Sequence, residues 1–330
     1  MRAIQVSRFG AVDTVHLADV ADPTPRPGEV VVEIHAAPVN FVDLLVIGGT
    51  YQFRPEPPFI PGKGPAGIVC ALGPDVSHLA LGDRVLAMAE LGGYAERVAV
   101  AQSQCYRLPA AMSFAEAASI SLAYDTAWFA LRERGRLQPG ETVLVLGASG
   151  AVGGAALQVA KAVGATVLAG IGRMEKAPEI LRAGADAVID LSRSDLRDSL
   201  RAEVYAATGG RGADVVVDPL GGDAFDAALR ALAWRGRCVV VGFAAGRIPV
   251  IKANYLLVKN IEVSGLQISD YRKRQPALLA ECYAELFGWY AAGKLVPSQA
   301  ELYPLERAAA ALAAVRDRTA RGRVVLAVRS

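Results

Sequence analysis

The sequence predicts an α/β fold in which a doubly wound parallel sheet is accompanied by a second, β-rich domain. Three observations support this. Prolines, glycines and short strand-like runs dominate residues 1 to about 124, strand and helix patterns alternate beyond that point, and one strand-to-helix turn is rich in glycine. The length of 330 residues exceeds one ordinary hydrophobic core and suits two domains.

The N-terminal part reads as a β-rich domain because short apolar runs are separated by turn signals such as Pro27-Gly28 and Gly82-Asp83. The predicted strands are Glu29–Ile34, Gly67–Leu72, Arg84–Met88 and Tyr94–Val100.

The pattern changes near Tyr124, where strands begin to alternate with helices. Alternation of this kind predicts a parallel sheet that is covered by helices on both faces. The predicted helices include Gly153–Val163 and Asp223–Ala233. The predicted strands are Thr142–Leu146, Thr166–Ile171, Ala187–Asp190, Val215–Asp218, Cys238–Gly242 and Ile261–Leu266.

The C-terminal part predicts two helices and a last strand. Apolar residues at Leu279, Cys282, Leu286 and Tyr290 recur at helical spacing. An alanine-rich helix follows from Leu305, and the last predicted strand is Arg323–Val328.

Composition argues against several function classes. The formal net charge of +2 leaves no basic footprint for nucleic acid or a membrane surface. The four cysteines are far apart, with no C-x-x-C pair, which argues against a structural zinc lobe and suits a reducing compartment. The N-terminus does not resemble a signal peptide. We therefore expect a cytoplasmic protein with no nucleic-acid or membrane partner.

The turn within TVLVLGASGAVGG, residues 142–154, matches the dinucleotide-binding fingerprint except that its first glycine is Ala148. Gly150 allows close approach to a pyrophosphate, and Gly153 allows the helix to pack tightly on the strand. The alternative is a strand-to-helix turn that binds nothing. The predicted cofactor contacts here are Ala148, Ser149, Gly150, Ala151, Val152 and Gly153.

The end of the second strand of this sheet indicates which dinucleotide is bound. An NAD site usually places an acidic residue there to hold the ribose hydroxyls. Here the strand ends at Gly172, and Arg173 and Lys176 follow, which suits the 2′-phosphate of NADPH. Two alternatives stay open. Arg173 and Lys176 are in the first simply solvated surface residues, and in the second Glu175 binds a ribose hydroxyl.

Several segments together resemble one family. The chain is similar over nearly its whole length to the zinc-independent quinone oxidoreductases, the ζ-crystallin-like branch of the medium-chain dehydrogenase/reductases. The resemblance implies a GroES-like domain at 1–124 and 265–330 around a Rossmann domain at 125–264. The segments are VNFVDLL (39–45), GGTYQ (48–52, which contains Tyr51), LAYDTAW (122–128), the glycine turn, VVDPLGG (216–222), VVVGFA (239–244) and RGRVVL (321–326).

The resemblance also implies site residues. Asn40, Tyr51 and Tyr124 match positions beside the nicotinamide and acceptor, and are the candidates for hydrogen bonds to the acceptor oxygen. The alternative for both tyrosines is that they are core aromatic residues, and the alternative for Thr126 is that it caps a helix. Asp43 is expected to orient its neighbours. The further cofactor contacts implied are Asn40, Asp43, Thr126, Gly172, Arg173, Lys176, Gly242, Phe243 and Arg318.

The sequence departs from the family pattern at two positions, Gly64 where Glu is usual and Leu191 where Tyr is usual. In zinc-dependent relatives a Cys and a His-Glu pair surround the metal, whereas the matching residues here are Asn40 and Lys63-Gly64. The histidines at positions 16, 35 and 78 each stand alone. We therefore expect no metal in the site.

These features predict an enzyme that transfers hydride from NADPH to a quinone, because the cofactor must carry the reactivity. Two alternatives stay open. One is an enone or enoyl reductase, which carries out the same hydride step on a conjugated carbonyl. The other is an NADPH-binding structural or RNA-binding protein. A homodimer is implied by the family alone.

Overall fold

The computed structural model describes residues 1–329, which divide into two compact units. The first unit comprises Met1–Leu122, Arg272–Tyr283 and the chain from Pro297 onward. The second unit comprises Ala123–Tyr271 and Ala284–Val296. The domain boundaries expected from the sequence, 1–124 with 265–330 and 125–264, stay a prediction.

The described residues form fifteen strands and eleven α-helices. The strands are β1 Arg2–Val6, β2 Val15–Asp19, β3 Glu29–Pro38, β4 Ala66–Leu72, β5 Arg84–Ala87, β6 Arg97–Ala101, β7 Cys105–Arg107, β8 Thr142–Leu146, β9 Thr166–Ile171, β10 Ala187–Asp190, β11 Ala213–Asp218, β12 Leu232–Val240, β13 Glu262–Gly265, β14 Ala300–Pro304 and β15 Arg323–Ala327. The helices are α1 Phe41–Ile47, α2 Phe114–Ile120, α3 Ala123–Trp128, α4 Ala151–Val163, α5 Ala177–Arg182, α6 Leu196–Ala207, α7 Gly222–Ala231, α8 Ala253–Lys259, α9 Ile268–Arg274, α10 Pro276–Ala291 and α11 Ala308–Arg316.

The second unit contains a six-stranded sheet in the order β10-β9-β8-β11-β12-β13, in which every pairing is parallel. All five residues of the central strand β8 are buried, so both of its faces are covered. Its aliphatic and β-branched residues, TVLVL, suit a fully buried parallel strand. The predicted α/β class with a parallel sheet is confirmed.

The sequence misjudged the boundary between α7 and β12. The predicted helix Asp223–Ala233 ends at Ala231, and β12 begins at Leu232 rather than at Cys238. Leu232 is buried opposite Ala213 of β11, and the register shifts before Val215. This tertiary pairing outweighs a helical pattern that would otherwise continue through Ala233.

The first unit contains a sheet in the order β14-β15-β3-β4-β5-β7, with β6 also paired to β3, and a separate β1–β2 pair. The apolar residues of its strands form one core with Leu305, Ala308, Ala311 and Leu312 near the chain's C-terminal end. Helices α1 and α2 of this unit were not predicted, because each is only seven residues long.

The last strand meets the first half of the chain directly. β15 pairs antiparallel with β3, so that Val325 lies opposite Pro38 and Ala327 opposite Ala36. This pairing brings Arg323 close to Asn40, the residue that precedes α1. Among residues 1–329, no helix is both long and apolar enough to cross a membrane.

Candidate active site

The glycine turn of the second unit leads from β8 directly into α4. Gly150 precedes the helix, and the first turn of hydrogen bonds begins with the Gly154 amide, which donates to the Gly150 carbonyl at 2.8 Å. The amides of Ala151, Val152 and Gly153 therefore have no carbonyl acceptor within the helix. Gly150 and Ala151 are exposed. A helix N-terminus of this kind is suited to binding a phosphate group.

Gly153 sets how closely α4 packs on the turn. A Cβ atom at this position would lie 2.1 Å from the Gly147 carbonyl oxygen and 2.8 Å from the Ala148 Cα. Both are backbone atoms, so no side-chain rotation relieves the overlap. Close packing of helix on strand therefore requires glycine here, as the sequence indicated.

Two further loops lie at the same edge of the sheet, because the carboxyl ends of parallel strands share one edge. The loop after β11 and the loop after β12 are joined by hydrogen bonds from Gly242 N to Asp218 O at 3.3 Å and from Ala244 N to Pro219 O at 3.1 Å. Phe243 is 41 % exposed. The expected contacts Gly242 and Phe243 thus lie at the edge that carries the glycine turn.

Asp218, at the end of β11, was missed by the sequence analysis. Its side chain is fully buried, and its Oδ1 accepts hydrogen bonds from the amides of Leu220 and Gly221 at 2.9 and 2.8 Å. Its Oδ2 has no hydrogen-bond partner within residues 1–329. Burial raises the pKa of this carboxyl to about 6, although the two amides oppose the shift. Asp218 therefore holds the loop after β11 in place.

The end of β9 carries the cations that the sequence assigned to a 2′-phosphate. Gly172 and Arg173 are exposed, and Lys176 is half-buried. Neither cation forms an ion pair within the described residues 1–329. Glu175 is exposed beside them. Leu191, at the family's tyrosine position, is partly buried against the core of the sheet.

Asn40 of the first unit is held by two charged side chains. It is 6 % exposed and precedes α1. Its Oδ1 accepts a hydrogen bond from Arg323 Nη2 at 2.9 Å, and its amide N–H donates to Asp43 Oδ2 at 2.8 Å. Because Oδ1 faces the guanidinium, the orientation of the side-chain amide is fixed.

Asp43 is 1 % exposed and accepts a second hydrogen bond, from the Tyr94 hydroxyl at 2.8 Å. Burial raises the pKa of the Asp43 carboxyl to about 6, against the opposing effect of the hydrogen bonds from Asn40 and Tyr94 and of the Lys63 charge. The carboxylate thus fixes the start of α1 and the backbone of Asn40. This geometry suits the orienting role expected for it.

A buried charged cluster formed by Lys63, Glu90 and Arg272 lies beside these residues in the first unit. Lys63 Nζ contacts a Glu90 carboxylate oxygen and donates to the Glu90 carbonyl at 3.2 Å. Arg272 Nη1 lies 3.0 Å from the other carboxylate oxygen of Glu90. Lys63 Nζ also lies 5.8 Å from the centroid of the Tyr51 ring. The sequence named Lys63 only as a metal-ligand replacement.

Gly64 has a structural reason to differ from the family pattern. Its φ of +63° favours glycine, and a Cβ atom would lie 2.0 Å from Ser121 Oγ. Ser121 is fully buried, so it has little room to move. No glutamate side chain fits at position 64 in this arrangement.

The remaining candidates are divided between the units. Tyr124 and Thr126 are buried in α3 of the second unit. Thr126 is the fourth residue of this helix, so the alternative that it caps the helix is wrong. Arg318 belongs to the first unit, where it follows α11 and is exposed. Among the predicted residues, the Asn40 amide donates to the Asp43 carboxylate in the first unit, and the Lys176 amide donates to the Arg173 carbonyl at 3.0 Å in the second.

No group of three or more His, Cys, Asp or Glu side chains suited to a metal ion lies within residues 1–329. The side chains at the positions that match metal ligands in zinc-dependent relatives are an amide, Asn40, and an ammonium, Lys63. Neither is among the ligands that zinc ordinarily takes in proteins.

Two known families match the chain, one in each part. Residues 26–110 match the alcohol dehydrogenase GroES-like domain, and residues 151–284 match the zinc-binding dehydrogenase family. Quinone oxidoreductase-like protein 2 of Bos taurus is 37 % identical over 314 residues, which cover 94 % of this chain and 89 % of that protein. The chain belongs to the quinone oxidoreductase family of the medium-chain dehydrogenase/reductases. It is therefore an oxidoreductase.

Solved structures of this family superpose on the chain over nearly its full length. A probable oxidoreductase from Mycobacterium abscessus has a TM-score of 0.88 and 39 % identity, and covers 99 % of this chain and 98 % of its own. The Escherichia coli quinone oxidoreductase, complexed with NADPH, has a TM-score of 0.90 and 31 % identity over 99 % of this chain and all of its own. The predicted Rossmann and GroES-like folds are confirmed.

Proposed function

We propose that this oxidoreductase transfers hydride from NADPH to a quinone without a metal ion. The observation that carries the proposal is the glycine turn before α4. It combines a helix N-terminus at which Gly150 and Ala151 are exposed with a position, Gly153, that accepts no side chain. Support also comes from relatives that are named quinone oxidoreductases and from the family member solved with NADPH.

The chain uses NADPH, and its residues fit that cofactor. The amides at the start of α4 suit the pyrophosphate, and the exposed Arg173 and half-buried Lys176 suit the 2′-phosphate. When bound, NADPH supplies a hydride from C4 of the nicotinamide ring. The protein has to bind and orient the cofactor and to stabilise the charge that develops on the acceptor.

Asn40, Tyr51 and Tyr124 are the proposed donors to the acceptor oxygen. Reduction of a quinone or a conjugated carbonyl places negative charge on that oxygen, and fixed hydrogen-bond donors stabilise it. Asn40 suits this role because Arg323 occupies its side-chain oxygen, and its amide nitrogen, which lies 3.5 Å from the Pro38 carbonyl oxygen, has a second N–H to donate.

Independence from zinc is part of the proposal, and it rests on the residue types in the site. An ammonium at Lys63 repels a cation, and Gly64 offers no ligand. A homodimer and a cytoplasmic location belong to the same proposal. The family resemblance supports the homodimer, which size-exclusion chromatography tests. The widely spaced cysteines support the cytoplasmic location, which cell fractionation tests.

The function is tested by following NADPH oxidation with a panel of quinones, enones and enoyl-CoA thioesters, each with and without a metal chelator. We expect turnover of quinones that the chelator does not change, and no oxidation of simple alcohols with NADP⁺. Turnover of enones alone would favour the enone reductase alternative. NADPH binding without turnover, together with a salt-dependent RNA shift, would favour the RNA-binding alternative.

Replacing Arg173 with alanine is expected to weaken NADPH binding about 10-fold, because one charge-assisted phosphate contact is lost at an exposed site. NADH binding should be unchanged. Titration of both cofactors by fluorescence measures this. Arg182→Ala is the control, since Arg182 is also exposed and lies nearby in α5. Equal affinity of the wild type for NADH and NADPH would contradict the cofactor assignment.

Replacing Tyr51 or Tyr124 with phenylalanine is expected to lower kcat/KM for the acceptor about 10-fold for whichever hydroxyl bonds the acceptor oxygen. NADPH affinity should stay near the wild-type value, because only the acceptor contact is removed. Steady-state kinetics with one quinone, alongside the control Tyr205→Phe in α6, separates the two effects. If neither substitution slows turnover, both tyrosines are packing residues and Asn40 is the remaining donor.

A further inference from the structure

Lys63, Glu90 and Arg272 form a cluster in which two buried cations contact one carboxylate. Lys63 and Arg272 are 2 % and 3 % exposed, and both contact the carboxylate of Glu90. Burial alone would raise the pKa of Glu90, but the cations of Arg272 and Lys63 outweigh it and lower the pKa to about 2. Glu90 is therefore ionised at neutral pH, and one carboxylate serves two cations.

Two further charged groups act near this cluster. Asp43 contributes a carboxylate on which the Lys63 charge acts, and Arg323 contributes a further cation through its hydrogen bond to Asn40. Lys63 and Arg272 thus hold the two carboxylate oxygens of Glu90, one each.

Lys63 is held at the face of the Tyr51 ring. Its acceptors within residues 1–329 are the carboxylate and the carbonyl oxygen of Glu90, which fix the ammonium in place. Nζ lies 5.8 Å from the ring centroid, within the range of a cation–π interaction. A cation in this position orients the ring and strengthens the phenolic hydroxyl as a hydrogen-bond donor.

We propose that Lys63, clamped by Glu90 and supported by Arg272, is a positioning residue that acts through Tyr51 to stabilise negative charge on the acceptor oxygen. This inference rests on the proposed function. In the reduction of a quinone, the hydride carries two electrons to the acceptor, and negative charge develops on its carbonyl oxygen. Tyr51 donates a hydrogen bond to that oxygen, and a proton from water completes the hydroquinone. Lys63 keeps its protons throughout.

A charge that acts on the acceptor oxygen should matter most for acceptors whose reduced form is most basic. Lys63→Gln removes the charge and keeps a hydrogen-bond donor for Glu90, and Lys63→Arg keeps the charge. We expect Lys63→Gln to lower kcat/KM about 10- to 30-fold for the most electron-rich quinones and far less for electron-poor ones. Lys63→Arg should restore most of the loss.

The experiment measures kcat/KM over a series of substituted quinones, with NADPH affinity followed separately by fluorescence. Lys161→Met is the matched control, because it also removes a lysine from an ion pair, here with Asp186 in the second unit. NADPH affinity should be unchanged in every variant. Lys63→Met repeats the comparison with different packing, so that a folding defect in one variant does not decide the result.

The outcomes separate this inference from the proposed function. If the wild type does not reduce quinones, the proposed function fails. If the wild type reduces them and Lys63→Gln lowers kcat/KM by one factor across the whole series, Lys63 has only a structural role. A loss that grows with the basicity of the reduced acceptor, and that arginine reverses, supports the positioning role.

Discussion

Gly153→Ala is expected to lower NADPH affinity about 100-fold and to destabilise the second unit by about 3 kcal/mol. The new methyl group would lie 2.1 Å from the Gly147 carbonyl oxygen, so α4 must move away from the turn. That movement displaces the helix N-terminal amides from the pyrophosphate. Fluorescence titration with NADPH and urea unfolding measure the two effects.

The neighbouring glycine provides a control of opposite sign. At Gly154 the nearest atom to an added Cβ is the Ala148 carbonyl oxygen at 3.6 Å, which is an ordinary contact. Gly154→Ala should therefore stabilise α4 by about 0.5–1 kcal/mol through helix propensity and leave NADPH affinity unchanged. Equal behaviour of the two variants would show that close packing at Gly153 is unimportant.

Asp218→Asn is expected to remove a pH dependence of stability from the second unit. Between pH 4 and pH 8, the free energy of unfolding of the variant should rise by about 2–3 kcal/mol relative to that of the wild type. Burial raises the pKa of Asp218 from 3.8 to about 6 in the folded chain. Between these values the folded state binds more protons than the unfolded state, so wild-type stability falls as pH rises from about 4 to about 6. Asparagine does not titrate, and this loss disappears.

The chain's own tryptophans allow this measurement to be made on the second unit. Trp128, Trp234 and Trp289 are its three tryptophans, and all belong to that unit. Urea unfolding followed by tryptophan fluorescence at pH 4 and pH 8 therefore reports the required difference. Asp223→Asn, which removes an exposed carboxylate from α7, is the control. A wild type and an Asp218→Asn variant with parallel pH profiles would contradict the prediction.

The features predicted correctly from the sequence depend on local patterns. Strands β8, β9 and β10 have the predicted bounds, because apolar runs ended by glycine or polar residues specify buried parallel strands. The role of Gly153 was also predictable, since strand, turn and helix follow one another in sequence. The α7–β12 boundary was not, because it depends on pairing between Leu232 and Ala213.

The cluster of Lys63, Glu90 and Arg272 could not be predicted from the sequence, for a related reason. Glu90 and Arg272 are 182 residues apart, and neither belongs to a motif that marks a site. Buried charges do not reveal themselves by periodicity, because an arginine or glutamate in sequence usually indicates a solvated surface. Lys63 and Gly64 could be flagged only as departures from the family pattern, and the reason for Gly64 became visible only with Ser121 beside it.

The hydrogen bond from Arg323 to Asn40 has a consequence for the order in which parts of the chain fold during synthesis. The segment of β3 that leads into Asn40, Ala36–Pro38, pairs with β15, whose residues are translated about 280 residues later. Until β15 leaves the ribosome, this edge of β3 lacks its partner and Asn40 lacks the guanidinium that orients it. The glycine turn and its sheet lie between residues 142 and 265, so they can fold earlier. A nascent chain would thus form the glycine turn and its sheet before β15 completes the surroundings of Asn40.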